Sequence, residues 1–317
     1  MKLTRVTSVL VAIMCTWSCT AVKDKDYIIL FDREFKQIKG HIGKVIADNE
    51  RSAMVAAEIL SRPPDRCKYP RSIYSFNELK VLADHSHVAK TNIYLPANVR
   101  VTSKTWDVIC ATEHLEETWM AVESRYPKMG WQYITEAETK VTRTYPWLDE
   151  VAYMGPYVDY TTVPQWTLVM PSNNPGRESK CTNVYFDHDG LGYVVTCVAP
   201  IYQEDRFIGN MSIDMPIGTF FTNIVSEYDG NSKACSLIVD SSGALITQVH
   251  GSGTMLCAAT FAGDKLAKGD PLMKCVQADC KCDGKTFNDI DTMGKRKRII
   301  CNQIEPMKAH FVLMYEP

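Results

Sequence analysis

Net charge is what this sequence lacks most plainly. Its 35 Lys and Arg against 37 Asp and Glu leave −2 over 317 residues, so there is no electrostatic footprint for nucleic acid. A phosphate-cradling GxxxxGK[ST] loop is absent, and no GxGxxG follows a strand, which removes the common nucleotide-binding signatures. No C-x-x-C-H haem motif occurs, and the dense cysteine run at Cys275, Cys280 and Cys282 has a C-x4-C-x-C spacing that suits zinc poorly. Cys110 with His114, and His85 with His87, lack a Gly-rich elbow, an oxyanion-hole motif or paired carboxylates, so no catalytic residue, metal site or cofactor is assigned. Beyond the N-terminus no apolar run approaches ~18 residues, so no later membrane span is expected.

What is there belongs to an exported globular protein. Hydrophobic residues make up 45% and charged residues 23%, enough for a sizeable core in two domains or in one domain with two lobes. Lys2 and Arg5 precede an apolar stretch from Val6 to Met14, then CTWSC and a polar AVKDKD, the layout of a secretory signal over residues 1–18. Small residues before Cys19 resemble a lipoprotein cleavage box with Cys19 as the lipidated residue. Ordinary signal cleavage nearby is the alternative. Of the 12 cysteines, setting aside Cys15 and Cys19 leaves an even number, consistent with disulfides outside the cytoplasm. The localisation expected is periplasm or cell surface, held at the membrane by a lipid anchor. With Pro317 as the last residue, no cytoplasmic signalling module is expected.

Apolar residues at Phe31, Phe35, Ile38, Ile42, Val45, Ala53, Ala56 and Leu60 follow steps of three and four with one gap. They mark one face of a long helix over 24–62, ended by Pro63 and Pro64. TNIYLPANVRVTS reads as strand and turn, and Glu113–Arg125 as helix. GWQYITEAETKVTRTYPW reads as two strands, and the stretch from Cys181 to Met215 as three, with turns at His188–Gly190 and Gln203–Arg206. A second hairpin opens at CSLIVDSSGALITQV, and RIICNQI with HFVLMYE closes the chain. Lys295 to Arg298 (KRKR) reads as a solvated loop or edge. The order of helix, mixed lobe and smaller antiparallel lobe is α+β. Cys181 and Cys197 are equidistant from Asp189, so folding the strands about DHDG sets the two cysteines opposite each other as a disulfide.

The run CTNVYFDHDGLGYVVTCVAPIYQEDRFIGNMSIDM, with TYPW and PQWT upstream, resembles extracytoplasmic double-Cache sensor domains. The helix and the second lobe agree with that family in order only. The resemblance implies a long N-terminal helix along two PAS-like antiparallel lobes, here a larger lobe over 63–225 and a smaller one over 226–317. It also implies a small-molecule site without chemistry. In members that bind amino acids, the positions matching Tyr185, Asp187 and Asp214 contact the ligand amine and Trp166 lies over it. Tyr145 is a further aromatic candidate. Tyr185 and Asp187, two apart on a strand, share a face, and carboxylates with aromatic walls suit a cation.

The bland readings stay open beside these. Tyr185 and Asp187 can be a solvent-facing polar row, Asp214 a turn former, and Trp131, Tyr133, Tyr145, Trp147 and Trp166 plain core. The position of the arginine that grips an amino acid's carboxylate falls at Pro164. A ligand with an amine, or one whose acid is held by Arg143 or Arg177, therefore fits better than a standard amino acid. The function expected is sensing of a cationic or zwitterionic solute, passed to a membrane receptor, kinase or transporter. The alternatives are an envelope structural or adhesion protein on the same scaffold, and an extracytoplasmic hydrolase.

Overall fold

A computed structural model describes the backbone of residues 4–62, 66–187, 190–218, 234–240, 242, 244–250, 261–262, 265–266, 288–292, 295–305 and 307–315. Side chains are described from residue 25 within the first three spans, and for 236–240, 242, 244–246, 299–305 and 307–315. The leader side chains, Cys19 included, and the Cys275–Cys282 cluster lie outside them. No described helix is long and apolar enough to cross a membrane.

The first element, α1 (Thr4–Ser61), is a single helix of 58 residues. Phe31, Ile38, Ile42, Val45, Ala53 and Ala56 are buried along it, which is the expected stripe. The gap between Val45 and Ala53 is filled by buried Asp48, Asn49 and Ser52. These polar residues belong to the packed face because each has a partner. Asp48 accepts from the Tyr126 hydroxyl at 2.8 Å and the Arg125 guanidinium at 3.0 Å. Asn49 donates to two strand carbonyls.

The chain divides into two units, Met1–Gly40 with Phe221–Pro317, and His41–Phe220. The second unit contains β1 (Tyr74–Phe76), β2 (Leu82–Asp84), β3 (Asn92–Tyr94), α2 (Ser103–Thr112), α3 (Glu116–Arg125), β4 (Gln132–Glu136) and β5 (Thr142–Tyr145). It continues with α4 (Glu150–Met154), α5 (Pro164–Val169), β6 (Lys180–Cys181), β7 (Tyr185–Asp187), β8 (Gly192–Gln203) and β9 (Arg206–Pro216). Its main sheet has the order β3-β5-β4-β9-β8-β6, with β7 also paired to β8. Period-two alternation gives that sheet two unlike faces. Ile134, Tyr145, Ala199, Ile201 and Met211 point one way and pack with Ala53, Ala56, Leu115 and Trp119 of the helical layer. Tyr133, Thr144, Thr196, Ser212 and Asp214 occupy the alternate positions, and all are buried as well. A second, covered face explains why so polar a row is not solvated.

Two cystines brace this unit. Cys67 is joined to Cys110, and Cys181 to Cys197 across directly paired positions of β6 and β8. Gly209 lets β9 approach β4, since a Cβ there would lie 2.4 Å from the Thr135 carbonyl oxygen.

The other unit has β10 (Ala234–Asp240), β11 (Leu245–His250), β12 (Phe261–Ala262), β13 (Lys265–Leu266), β14 (Asn288–Thr292), β15 (Lys295–Ile304) and β16 (Ala309–Tyr315). Five of these form an antiparallel sheet of order β11-β10-β16-β15-β14. Phe31 of α1 stacks on Phe311 at 5.2 Å and Tyr27 on Tyr315 at 4.1 Å. Lys295 to Arg298 opens β15 rather than a loop: Lys295, Arg296 and Lys297 pair with β14 alone among the described residues, and Arg298 pairs with both β14 and β16.

Candidate ligand site

A cavity of ≈ 160 Å³ lies on the polar face of the main sheet in the His41–Phe220 unit. It is comparable to a ~150 Å³ cavity that admits a benzene-sized guest, so it suits a small solute and not a polymer. Trp131, Tyr133, Tyr160, Tyr185 and Phe186 supply aromatic walls. Phe186 also lies exposed beside Tyr193, which places it at the mouth. Among the described residues the ionisable carboxyls of the wall are Asp187, Asp214 and Glu150, and no Lys, Arg or His lines it.

The strands fix these groups. Tyr185 and Asp187 occupy alternate positions of β7, opposite Val194 and Gly192 of β8. Asp214 pairs with Thr196 of β8. Its backbone is clamped at both ends, with Gly130 N–H donating to its carbonyl at 2.9 Å and its own N–H donating to the Trp131 carbonyl at 2.8 Å. The Thr196 hydroxyl donates to Asp214 Oδ1 at 2.5 Å. Thr196 has a single proton, so the Tyr185 hydroxyl 2.6 Å away is the donor in that pair. The result is a relay of donors ending on the buried Asp214 carboxyl. Asp187 Oδ2 accepts from Leu191 N–H at 3.2 Å, closing the hairpin over the site.

Glu150 opens α4 and takes a short hydrogen bond from the Thr144 hydroxyl on β5. Tyr133 is fully enclosed. Burial first, and then the charges of Asp214 and Tyr185, push its phenol well above the ordinary tyrosine range. It therefore stays neutral, and Gln165 Nε2 donates to it at 3.2 Å. The Trp131 indole N–H is buried with no acceptor among the described residues.

Of the five sequence candidates, Tyr185, Asp187 and Asp214 come together at the cavity, while Trp166 and Tyr145 do not line it. PQWT is the start of helix α5, with Pro164 in its first turn. At 3.6 residues per turn neighbouring side chains diverge. Gln165 reaches the cavity, and Trp166 turns into the core edge-on to Phe207 at 5.2 Å. Tyr145 stands on the other face of β5 from Thr144. It stacks near Trp119 and donates to Glu123 through a short hydrogen bond.

Neither arginine proposed as a carboxylate holder reaches the site. Arg143 is wholly buried on the helical face, donating to Thr91, Thr112, Tyr74 and the Ile109 carbonyl. Arg177 is tied to Asp205 at 2.7 Å and lies over the Tyr202 ring. Sequence reading missed Glu150, Thr144, Gln165, Thr196 and Gly130. Thr144 is out of phase with the candidate Tyr145 beside it, and Thr196 shares the cavity face through its pairing with Asp214, a cross-strand relation that no local window shows.

The chemically suggestive pairs resolve otherwise. Cys110 is half of a cystine, so it is not a thiol nucleophile. Glu113 lies beside that cystine, but its oxygens accept from Lys68 N–H, Tyr69 N–H and the Tyr74 hydroxyl. His87 stacks on Trp147 at 3.4 Å, and the His114 ring meets the Arg66 carbonyl.

No protein-family model and no curated protein sequence matches this chain. Solved structures do. The sensory domain of the Campylobacter jejuni chemoreceptor Tlp3 (CcmL) superposes with a TM-score of 0.57 at 11% identity, over 94% of this chain and 95% of that one. Its isoleucine-bound form gives 0.56 at 11% identity, over 94% of each. The ligand-binding domain of the Pseudomonas fluorescens chemoreceptor CtaA with L-alanine gives 0.50 at 12% identity, over 90% and 93%. The architecture is thus that of ligand-binding sensory domains. More narrowly, this chain has the double-Cache fold, a long N-terminal helix with antiparallel sheets, as the sequence resemblance implied.

Proposed function

We propose that the protein is an extracytoplasmic binding protein for a small solute carrying a protonated amine, taken up between Tyr185, Asp187 and Asp214. The observation that carries this is the cavity wall, which among the described residues combines three carboxyls and five aromatic rings with no basic side chain. A cation there exchanges hydration for charge-assisted hydrogen bonds and ring faces. A carboxylate would meet like charge instead. Cystines in the same unit fit an oxidising compartment. The amino acids named with the neighbouring structures also carry an ammonium group, which fits the Tyr185, Asp187 and Asp214 end of the cavity.

In this reading occupancy is passed to a membrane receptor, kinase or transporter. What supports that role for α1 is Asn49, which bonds the helix to β8 and β9, the strands that hold Thr196 and Asp214. A ligand shifts such a system only by binding one arrangement better than another.

The test is a thermal-shift screen of primary amines, amino acids and amine-free carboxylic acids. A ligand at a hundred times its Kd stabilises by about 2.7 kcal/mol, or roughly 5–10 °C for a unit of this size. Amine-bearing compounds should give that shift, and Asp187→Asn and Asp214→Asn should each weaken binding at least tenfold. Stabilisation by amine-free acids, or unchanged affinity in both variants, would overturn the reading.

A further inference from the structure

We infer that the Cys181–Cys197 cystine is a register lock for β7, holding a bulge that turns Tyr185 and Asp187 toward the cavity. This deepens the amine-binding reading and rests on it for the role of those two residues.

β6 and β7 both pair with β8, but not in one register. Cys181 lies opposite Cys197. Thr182 continues that ladder, its N–H donating to the Thr196 carbonyl at 2.9 Å. Tyr185, however, lies opposite Val194. Asn183 and Val184 therefore stand against the single Val195, and two residues facing one is a β-bulge.

The bulge decides which side chains meet a ligand. Continued without the extra residue, the register of Cys181 and Cys197 would put Val184 opposite Val194 and Tyr185 opposite Tyr193. Side chains alternate with a period of two, so a slip of one residue sends Tyr185 and Asp187 to the other face. Phe186, now 55% exposed, would take their phase. With the bulge in place, Thr182 and Tyr185 share the face of Thr196 and Asp214, although they are three residues apart.

β7 does not hold this register by itself. It is three residues long and pairs with β8 alone among the described residues. The clamp lies just before the bulge. There the cystine joins directly paired positions, and Thr182 Oγ1 accepts from Thr196 N–H at 3.0 Å. Thr196 is also the residue whose hydroxyl lies between Tyr185 and Asp214, so the clamp acts on the middle of the donor relay. Cys197 has the parity of Ala199 and Ile201, which pack on the helical face. The cystine thus stands on the opposite face from Thr196 and acts on the site through the backbone, as a positioning element.

The test compares Cys181→Ala/Cys197→Ala with Cys67→Ala/Cys110→Ala in the intact protein. The second cystine spans a sequence separation of 43 against 16, so its removal should lower Tm at least as much. Binding of butylamine and of L-alanine, followed by calorimetry, should run the other way. It should be at least tenfold weaker without Cys181–Cys197 and within threefold of wild type without Cys67–Cys110. Hydrogen exchange supplies a readout free of ligand. Amides of Tyr185–Asp187 and of Val194–Thr196 should exchange at least tenfold faster in the first variant than in the second. Thr182→Val, with the cystine intact, should shift binding and exchange at least threefold in the same direction. Thr182→Ser keeps the acceptor and should restore both, and this pair decides the matter if the cysteine variant does not fold.

Equal loss of binding in the two cystine variants, or equal exchange in them, would overturn the register lock, because the cross-link would then be acting through stability alone. Thr182→Val behaving as wild type would overturn it too. Failure of both amines to bind the wild-type protein sinks the amine-binding reading instead, and the exchange comparison still decides the lock.

Discussion

Asn49 offers the sharpest test of how the long helix α1 is coupled to the sheet. Its side-chain amide donates to the Cys197 carbonyl at 3.1 Å and to the Met211 carbonyl at 3.0 Å, from a position 4% exposed. Both donors are used, and the two acceptors sit on adjacent strands, so the residue is a bracket and not an incidental contact. In Asn49→Leu volume is nearly kept, while two buried carbonyls lose their amide partners. Each such hydrogen bond contributes about 1 kcal/mol net, and an acceptor left unsatisfied costs up to ~3 kcal/mol. The expected loss is about 2–4 kcal/mol, equivalent to a fall in Tm of roughly 5–15 °C. Glu50→Gln, one residue along on the exposed side of α1, should stay within ~0.5 kcal/mol. Urea unfolding provides the assay, read as a lower midpoint at unchanged slope. Asn49→Leu behaving like Glu50→Gln would refute the argument, since water would then be replacing the amide at both carbonyls.

Other outcomes follow from the same geometry. Burial, only partly offset by Arg33 and a hydrogen bond from Ser236, raises Glu34 from 4.5 to about 7. Its folded form therefore binds the proton more tightly than the unfolded chain, and stability falls as pH rises from about 4.5 to 7. The penalty above that window is roughly 3 kcal/mol, and Glu34→Gln should flatten the profile, gaining most at pH 8 and least at pH 5. Gly209→Ala puts a methyl 2.4 Å from the Thr135 carbonyl oxygen. It should cost about 1–3 kcal/mol by forcing β4 and β9 apart, and an unchanged melting temperature would exclude that close approach.

Legibility in the sequence depended on whether a signal was periodic and local. The stripe of α1 and the alternation of β8 and β9 repeat over many residues, so the long helix and the hairpin with its Cys181–Cys197 bridge could be read directly. The polar gap at Asp48, Asn49 and Ser52 could not, because hydropathy cannot tell a solvated polar residue from one bracketing a sheet. Trp166 was misplaced because PQWT was matched by motif, and one turn of helix sends neighbours in different directions. Glu150 carries no local signal at all. It reaches the cavity only because the chain folds α4 over β5.

The neighbouring structures and this chain share a backbone plan at 11–12% identity, so the plan says little about what is bound. What can differ freely is the charge of a few side chains projecting from the same strands. Pro164 begins a helix where a carboxylate-gripping arginine is expected, and Arg143 is turned into the helical face by strand alternation. Among the described residues the cavity is lined by the carboxyls of Asp187, Asp214 and Glu150 and by no basic residue. A zwitterion entering it would gain at its ammonium end and lose at its carboxylate end. Specificity of this kind needs the repulsive element as much as the attractive one, and in the amine-binding reading the Asp187 and Asp214 carboxyls would supply both, attracting an ammonium and repelling a carboxylate.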